Sequence, residues 1–479
     1  MQHFEPSQVP EIIFDSRPQW KALYYEAWKI ASGHIIRDPK PPFLQYMDEG
    51  ASPERVWIWD SCLMALYCKY APEFFPGMAS LDNLYMILHD KIPAGLKIHH
   101  PDNPPLFGWA ELGYYRFHGD RKRAVRIFEE KKYLQKHYEF FENCHAGTMV
   151  PGCVKPVALE KKESGYQWAG CPSGMDNTPR GRGRYDSIFW VDALAQQAHS
   201  AHCIAEFAAK FGDAAEEQKY RALWKRQCTL LNQYYWDEKD GTYYDIFCDT
   251  HDFCKVLTPA SFWPLLAGAA EKEQIRRMIS LLRDPDKLGG VIPSVSRDDP
   301  DYNPAGGYWR GGVWLPVVYM IVSALNKACE FDLAAELSEM MLERMVHTWE
   351  NTSPHTIWES YSPSQDAPST KSNGQFCRTN FCGWSALAPI SMLIENVMGF
   401  YDISALEQTI RMHRRKIGRF GIRNLKFGTV CCDIIADDMH IRVTANQPVA
   451  LEIDGRKYPC GQGETVISGP VRPAADGMP

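Results

Sequence analysis

Residues 189–210 read FWVDALAQQAHSAHCIAEFAAK, and residues 214–233 follow as AAEEQKYRALWKRQCTLLNQ. The first stretch is rich in Ala and nearly uncharged, so as a helix it must be covered on every side. The second is amphipathic, with charges outside and a single stripe to bury. The two kinds recur along the chain. Residues 313–327 are nearly all apolar, and residues 332–349 are their amphipathic successor. Residues 121–142 set Val125, Phe128, Tyr133 and Leu134 near helical spacing on a charged background, and residues 385–398 end the series. Such alternation predicts an inner ring of helices wrapped by an outer ring. About ten to twelve helical segments between residues 16 and 398 are enough for an (α/α)6 toroid. It would be one mainly α domain, larger than the usual ceiling of ~250–300 residues. Loops leading into the inner helices should gather at one end of the ring.

The texture changes after Gly418. Residues 425–430, 432–435, 439–445 and 449–453 are short and rich in β-branched residues. Asp454-Gly455 is a two-residue hairpin signal. The expected organisation is therefore a barrel over 1–418 and a small antiparallel β appendage over 419–479, with residues 469–479 as a loose tail.

The chain has 479 residues, a mass of 54.7 kDa, and 52 Lys+Arg against 59 Asp+Glu, for a formal charge of −7. A mildly acidic balance disfavours nucleic acid and anionic membranes, which call for clustered Lys and Arg. The longest apolar run, near 313–325, contains Pro316 and Ser323 and is short of the ~20 residues a bilayer helix needs. The start, MQHFEPSQVPEIIFDSRPQW, has no basic segment followed by an apolar core, so no secretory signal is expected. Fifteen Cys without a CxxC pair read as free thiols in a reducing compartment, the cytoplasm. Aromatic residues reach 13%, many beside Gly, Pro or Asp.

Four segments combine Trp or Tyr, Gly and an ionisable group. RVWIWD at 55–60 runs into the apolar SCLMALY. Asp60 reads either as a helix N-cap or, with Trp57 and Trp59, as part of a sugar platform where indole faces stack on a pyranose. SGMDNTPR at 173–180 sets Asp176 and Asn177 on a loop between Gly174 and Pro179, with an Asx-turn as the bland reading of Asp176. GGYWRGGVW at 306–314 carries Tyr308, Trp309, Arg310 and Trp314. An Arg entering a helix N-terminus opposes the macrodipole, which favours a functional reading of Arg310. TIWESYSP at 356–363 surrounds Glu359 with Trp358 and Tyr361, and FCGWS at 381–385 adds Trp384. Glu359 reads as a tuned carboxylate or as an exposed loop residue. Trp109 joins the candidate sugar lining.

Together these segments supply one acid, one base and an aromatic lining. That is the need of inverting glycoside cleavage: a protonated carboxyl for the leaving oxygen and an ionised one for water, ~6.5–9.5 Å apart. The mechanism requires no metal or nucleotide, so no cofactor is expected. No P-loop, HExxH or Gly-x-Ser-x-Gly is present. His99-His100 suggests a metal pair, but adjacent His point apart, and a structural role is expected. Two other classes remain: a sugar epimerase using His99, His100 or His355 as acid and base, and an inactive sugar-binding protein. The oligomeric state is not legible.

SGMDNTPR resembles the Ser-Gly-Met-Asp-Asn-Ser-Pro motif of glycoside hydrolase family 63 and its relatives. YWRGGVW is similar to Tyr-Trp-Arg-Gly-Pro-Ile-Trp of that clan, with Gly312 in place of Pro. WESYSP looks like the segment that bears the clan's catalytic Glu, as in the family 37 trehalases. VWIWDSC and FCGWSAL resemble its Trp-Asp opening and Gly-Trp closing motifs. The resemblance covers about residues 50 to 400 in the family's order. It implies an (α/α)6 barrel that hydrolyses an α-glucoside or α-mannoside with inversion. Asp176 would be the general acid and Glu359 the general base, with Asp60, Arg310 and Trp384 lining the subsite of the released sugar. The short form is closer to bacterial mannosylglycerate or glucosylglycerate hydrolases than to processing glucosidases, whose N-terminal β domain has no room before residue 50.

Overall fold

A computed structural model describes residues 4–415 and 418–468. The expected loose tail at 469–479 lies outside the described residues. The helices that pack around the core include α1 (Pro18–Gly33), α2 (Ile58–Cys68), α3 (Gly77–Leu88), α4 (Phe107–His118), α5 (Tyr133–Asn143), α6 (Val191–Phe211), α7 (Ala214–Leu230), α8 (Trp263–Ala267), α9 (Lys272–Arg283), α10 (Leu315–Lys327), α11 (Phe331–Asn351) and the wide, π-wound α12 (Ala388–Val397).

Their packing follows the composition. Every residue of α2 is buried, and so are most of α6 and α10, whereas α7 buries only Tyr220 and Gln227 and α9 only Met278 and Leu282. The apolar helices touch in sequence, α2 on α4, α4 on α6, α6 on α8, α8 on α10, α10 on α12, and α12 back on α2. The run closes on itself. Outside it, α3 lies against α2, α7 against α6, and α11 against α10 and α12. Small residues set the close spacing. A Cβ on Gly108 of α4 would stand 3.0 Å from the Cys203 Cβ on α6. The α6–α7 hairpin is written in two residues. Gly212 ends α6 in the left-handed conformation, and the Asp213 carboxylate accepts the Glu216 N–H to start α7.

The sheets begin earlier than the sequence suggested and recruit the other end of the chain. One has the order β1 (Glu11–Phe14), β4 (Phe420–Phe427), β5 (Val430–Ala436), β6 (His440–Ala445) and β9 (Gly463–Ser468), with neighbours antiparallel. The other runs β2 (Asp402–Ser404), β3 (Thr409–Met412), β7 (Val449–Ile453) and β8 (Arg456–Cys460), with β3 and β7 parallel. The hairpin at Asp454-Gly455 is present, both residues at positive φ as a two-residue turn with right-handed strand twist requires. Because β1 pairs with β4, the N-terminal segment closes one edge of the sheet formed after residue 418. That pairing is invisible to a local reading, since EIIF is four residues long and follows a Pro-containing start. Among the described residues, no helix is long and apolar enough to cross a membrane, and the fifteen cysteines are free.

Candidate active site

The loops before the inner helices enclose a cavity of about 180 Å³ lined by Glu49, Trp57, Trp59, Asp60, His99, Cys171, Gly174, Asp176, Tyr308, Trp309, Glu359, Arg378 and Trp384. Each of the four sequence segments contributes to it. Asp60 is not an N-cap. Trp57 holds that position, and Asp60 stands in the first turn of α2 with its side chain buried in the cavity wall. Asn103 fixes the neighbouring backbone, accepting from Trp59 N–H at 2.9 Å and donating to the Pro172 carbonyl at 2.9 Å. This buried amide ties the start of α2 to the loop that carries Asp176.

That loop has little freedom. Gly174 has φ +86°, and a Cβ there would lie 2.4 Å from the Trp59 ring, so both conformation and space demand glycine. Asn177 accepts from Trp309 N–H at 2.8 Å and donates to the Gly307 carbonyl at 3.0 Å, which joins the Asp176 loop to 306–314. Arg180 anchors its far end. Fully buried, the guanidinium donates to both oxygens of Asp192 and of Asp245 at 2.6–2.7 Å and lies 4.2 Å from the Trp190 ring. Arg180→Met would leave two facing carboxylates without a counter-charge. We expect a loss of about 3–5 kcal/mol in denaturant unfolding; a variant with the wild-type midpoint would mean that this cluster does not hold the loop.

Glu359 is held from several sides. Its carboxylate accepts from the Arg378 backbone N–H at 3.2 Å and from Arg378 Nη1 at 3.3 Å, and its carbonyl accepts Trp384 Nε1 at 2.8 Å. Indole rings cluster beside it, with Trp59 5.5 Å from Trp384, and Trp309 stacked 4.4 Å on Trp314.

Burial raises three of the cavity's acidic groups. Burial, then the Glu359 charge, pushes Asp176 up to about 7, against a hydrogen bond from Tyr308 and the pull of Arg378. Burial, with Asp48 alongside, pushes Glu49 up to about 8. Asp60 is raised by burial and by the Glu49 charge, with Arg378 opposing. The Arg378 guanidinium is the counter-charge facing them, and its own shift runs upward because Glu359, Tyr308, Glu49 and Asp60 outweigh its desolvation. The cavity thus contains three carboxyls held above their ordinary range, with Asp176 and Glu49 both near neutrality.

Several residues expected in the lining stand elsewhere. Arg310 resolves its conflict with the helix dipole by pairing with Asp301 at 2.7 Å and donating to the Asn177 carbonyl at 3.3 Å, so it braces the rim. Asn177 acts as a loop tie. Trp314 backs Trp309, while Trp358 and Tyr361 are core, the Tyr361 hydroxyl accepting Trp358 N–H at 3.2 Å. Trp109 lies in a larger cavity of about 440 Å³ past the other end of α2, stacked on Tyr319 at 5.7 Å. The carboxylates there are already engaged. Glu395 accepts from Lys69, Tyr70 and Tyr319, and Asp402 from Arg116 and Arg411. No motif in the sequence marks Glu49 or Cys171 as cavity residues. The local signal for Glu49 was no more than an acidic Asp-Glu-Gly run ahead of the tryptophans.

A family model described as the mannosylglycerate hydrolase MGH1-like glycoside hydrolase domain matches residues 93–379, more than half of the chain. The chain belongs to this glycoside hydrolase family, within family 63. The match includes Asp176 and Glu359, while the Trp57–Asp60 segment and Trp384 fall outside it. A probable mannosyl-oligosaccharide glucosidase of Schizosaccharomyces pombe is 24% identical over 424 residues, covering 73% of this chain and 49% of the relative. The chain therefore spans about half the length of that curated relative. Among solved structures, a family 63 mannosylglycerate hydrolase from Thermus thermophilus, in complex with Tris, has a TM-score of 0.57 at 19% identity, over 77% of this chain and 99% of that one. A sialidase reaches a TM-score of 0.70 at 14% identity over 96% of this chain and 40% of its own, a coverage that extends into the C-terminal sheets. These likenesses carry the fold: a helix-rich toroid of the family 63 and trehalase kind with a C-terminal sheet region.

Proposed function

We propose that this glycosidase is an inverting α-glycoside hydrolase on an (α/α)6 barrel, acting on an α-linked glucoside or mannoside in a small oligosaccharide or glycosylglycerate. Asp176, protonated, donates to the glycosidic oxygen as the bond to the anomeric carbon breaks. Glu359 takes a proton from the water that attacks the opposite face. Trp57, Trp59, Trp309 and Trp384 offer ring faces to the sugar, and Asp60 and Glu49 offer hydroxyl partners. The observation that carries this reading is that Asp176 and Glu359 line one cavity, with Asp176 raised to about 7. A carboxyl kept half protonated near neutrality is what acid catalysis at physiological pH uses. The fifteen free thiols suit a reducing compartment such as the cytoplasm.

The test is a panel of α-linked disaccharides and glycosylglycerates, with the anomer released first followed by proton NMR. The expected result is the β-anomer of glucose or mannose before mutarotation. First appearance of the α-anomer would replace inversion by retention. An epimer formed from free aldose would replace hydrolysis by isomerisation.

A further inference from the structure

His99, His100 and Cys171 form the one group among the described residues whose donor atoms are arranged to hold a metal ion, with all three atoms within 4.8 Å of one another. Cys171 Sγ lies 3.3 Å from His100 Nε2. The chain builds this trio from two backbones. The strand Lys97–Ile98 pairs with Arg55–Val56, and the His99 N–H donates to the Val56 carbonyl at 2.8 Å, which holds 97–100 beside Trp57. Cys171 sits in the helical turn Gly170–Ser173 of the Asp176 loop. Adjacent histidines were expected to diverge, and their rings do meet edge to face at 4.5 Å, yet Cys171 closes the gap between them.

A second observation points to a ligand. His100 is 7% exposed and turns its Nε2 toward Cys171, and the buried Nδ1 of His99 has no hydrogen-bond partner. A buried donor or acceptor left alone is costly unless something occupies it. Neutral imidazole is the form that ligates a metal.

We propose that His99, His100 and Cys171 bind a thiophilic divalent transition-metal ion of the Zn²⁺ class at the wall of the catalytic cavity, and that its binding inhibits turnover. Two imidazoles and a thiolate select such ions over Mg²⁺ or Ca²⁺, and three protein ligands leave a fourth position open. Metal–nitrogen and metal–sulfur bonds of about 2.0 and 2.3 Å require the donors to draw together by a small movement. Cys171 binds as the thiolate, so ligation expels its proton. The thiol and M²⁺ become a metal thiolate and one H⁺. Arg55 and Lys155 oppose the added positive charge, while Asp176 and Asp102 near Cys171 favour it.

Inhibition follows from position. The Gly170 and Asp176 backbones are in contact, since a Cβ on Gly170 would lie 2.1 Å from the Asp176 carbonyl oxygen. His99 stacks on Trp57 at 4.6 Å and lines the same cavity. A bound cation would tie the two cavity walls together beside Asp176. This half of the proposal rests on the acid role of Asp176; metal binding itself does not.

The full-length chain, stripped with a chelator, is titrated with CoCl₂. One equivalent should bind with a near-ultraviolet thiolate-to-cobalt charge-transfer band and visible bands of tetrahedral intensity. C171S, at an exposed position, and H100N should each lose the charge-transfer band while keeping a cooperative melt. ZnCl₂ should lower wild-type turnover at least about tenfold, reversibly with EDTA, and leave the residual turnover of C171S unchanged. A wild-type chain with no thiolate band overturns the site. A band without inhibition by Zn²⁺ overturns the inhibitory role and leaves the site. A chain inactive on every glycoside overturns the hydrolase reading, and the cobalt spectrum still decides the metal site.

Discussion

Asp176→Asn is expected to lower kcat on a natural α-glycoside by about 10²–10⁴-fold with little change in KM, the span that a positioned proton donor supplies. An amide has nearly the same shape and cannot donate a proton to the leaving oxygen. The deficit should shrink on an aryl glycoside whose phenolate leaves without protonation. In the wild-type enzyme, kcat should fall as pH rises through about 7, because that is where Asp176 loses its proton; the variant should lack this limb. The same shift predicts a stability effect of opposite sign. A carboxyl raised above its unfolded value of about 3.9 costs progressively more stability as pH climbs from there to its folded value near 7, and the full cost is present above that. The variant should therefore melt above wild type at about pH 8, and by a smaller margin at about pH 5. Near wild-type turnover would remove Asp176 from the chemistry. Lost turnover together with a lowered melt on the alkaline side would assign it a structural role.

What could be read from the sequence depended on how local the cause was. The ring of inner helices was legible because an uncharged helix such as α6 has one physical solution, which is to be covered all round. All four aromatic segments supply cavity lining, since loops before inner helices share one end of a toroid. Individual side chains were harder. The place of Arg310 before a helix suggests a ligand-facing cation, whereas its partner Asp301 lies nine residues back in an aperiodic loop. Trp109 has the residue type of a sugar platform, yet it lies on α4 and lines the larger cavity. Glu49 has no pattern around it. Only the folded chain reveals a carboxyl 1% exposed with neither oxygen hydrogen-bonded and a cavity in front of it. The β1–β4 pairing joins residues some four hundred positions apart, beyond any windowed reading.

Glu359→Gln separates the second carboxylate from the first. It too should cost about 10²–10⁴-fold in kcat, because the attacking water loses its proton acceptor. The dependence on leaving group is the discriminating readout. A base acts on water and not on the departing oxygen, so the loss should be equally deep on aryl and natural glycosides, in contrast to Asp176→Asn. The substitution also disturbs Arg378, whose Nη1 and backbone N–H both donate to this carboxylate. With glutamine, one of those donors faces an NH₂ group, so a modest rise in KM is expected as Arg378 shifts within the cavity. Glu359→Asp keeps the charge but withdraws it by one methylene, and should retain more activity than the amide if proton acceptance is the role. If Glu359→Gln instead recovers on activated leaving groups as Asp176→Asn does, the two assignments must be exchanged. If Gln and Asp are equally mild, Glu359 serves only to hold Arg378 and the base lies elsewhere, with Asp60 the next candidate in the cavity wall.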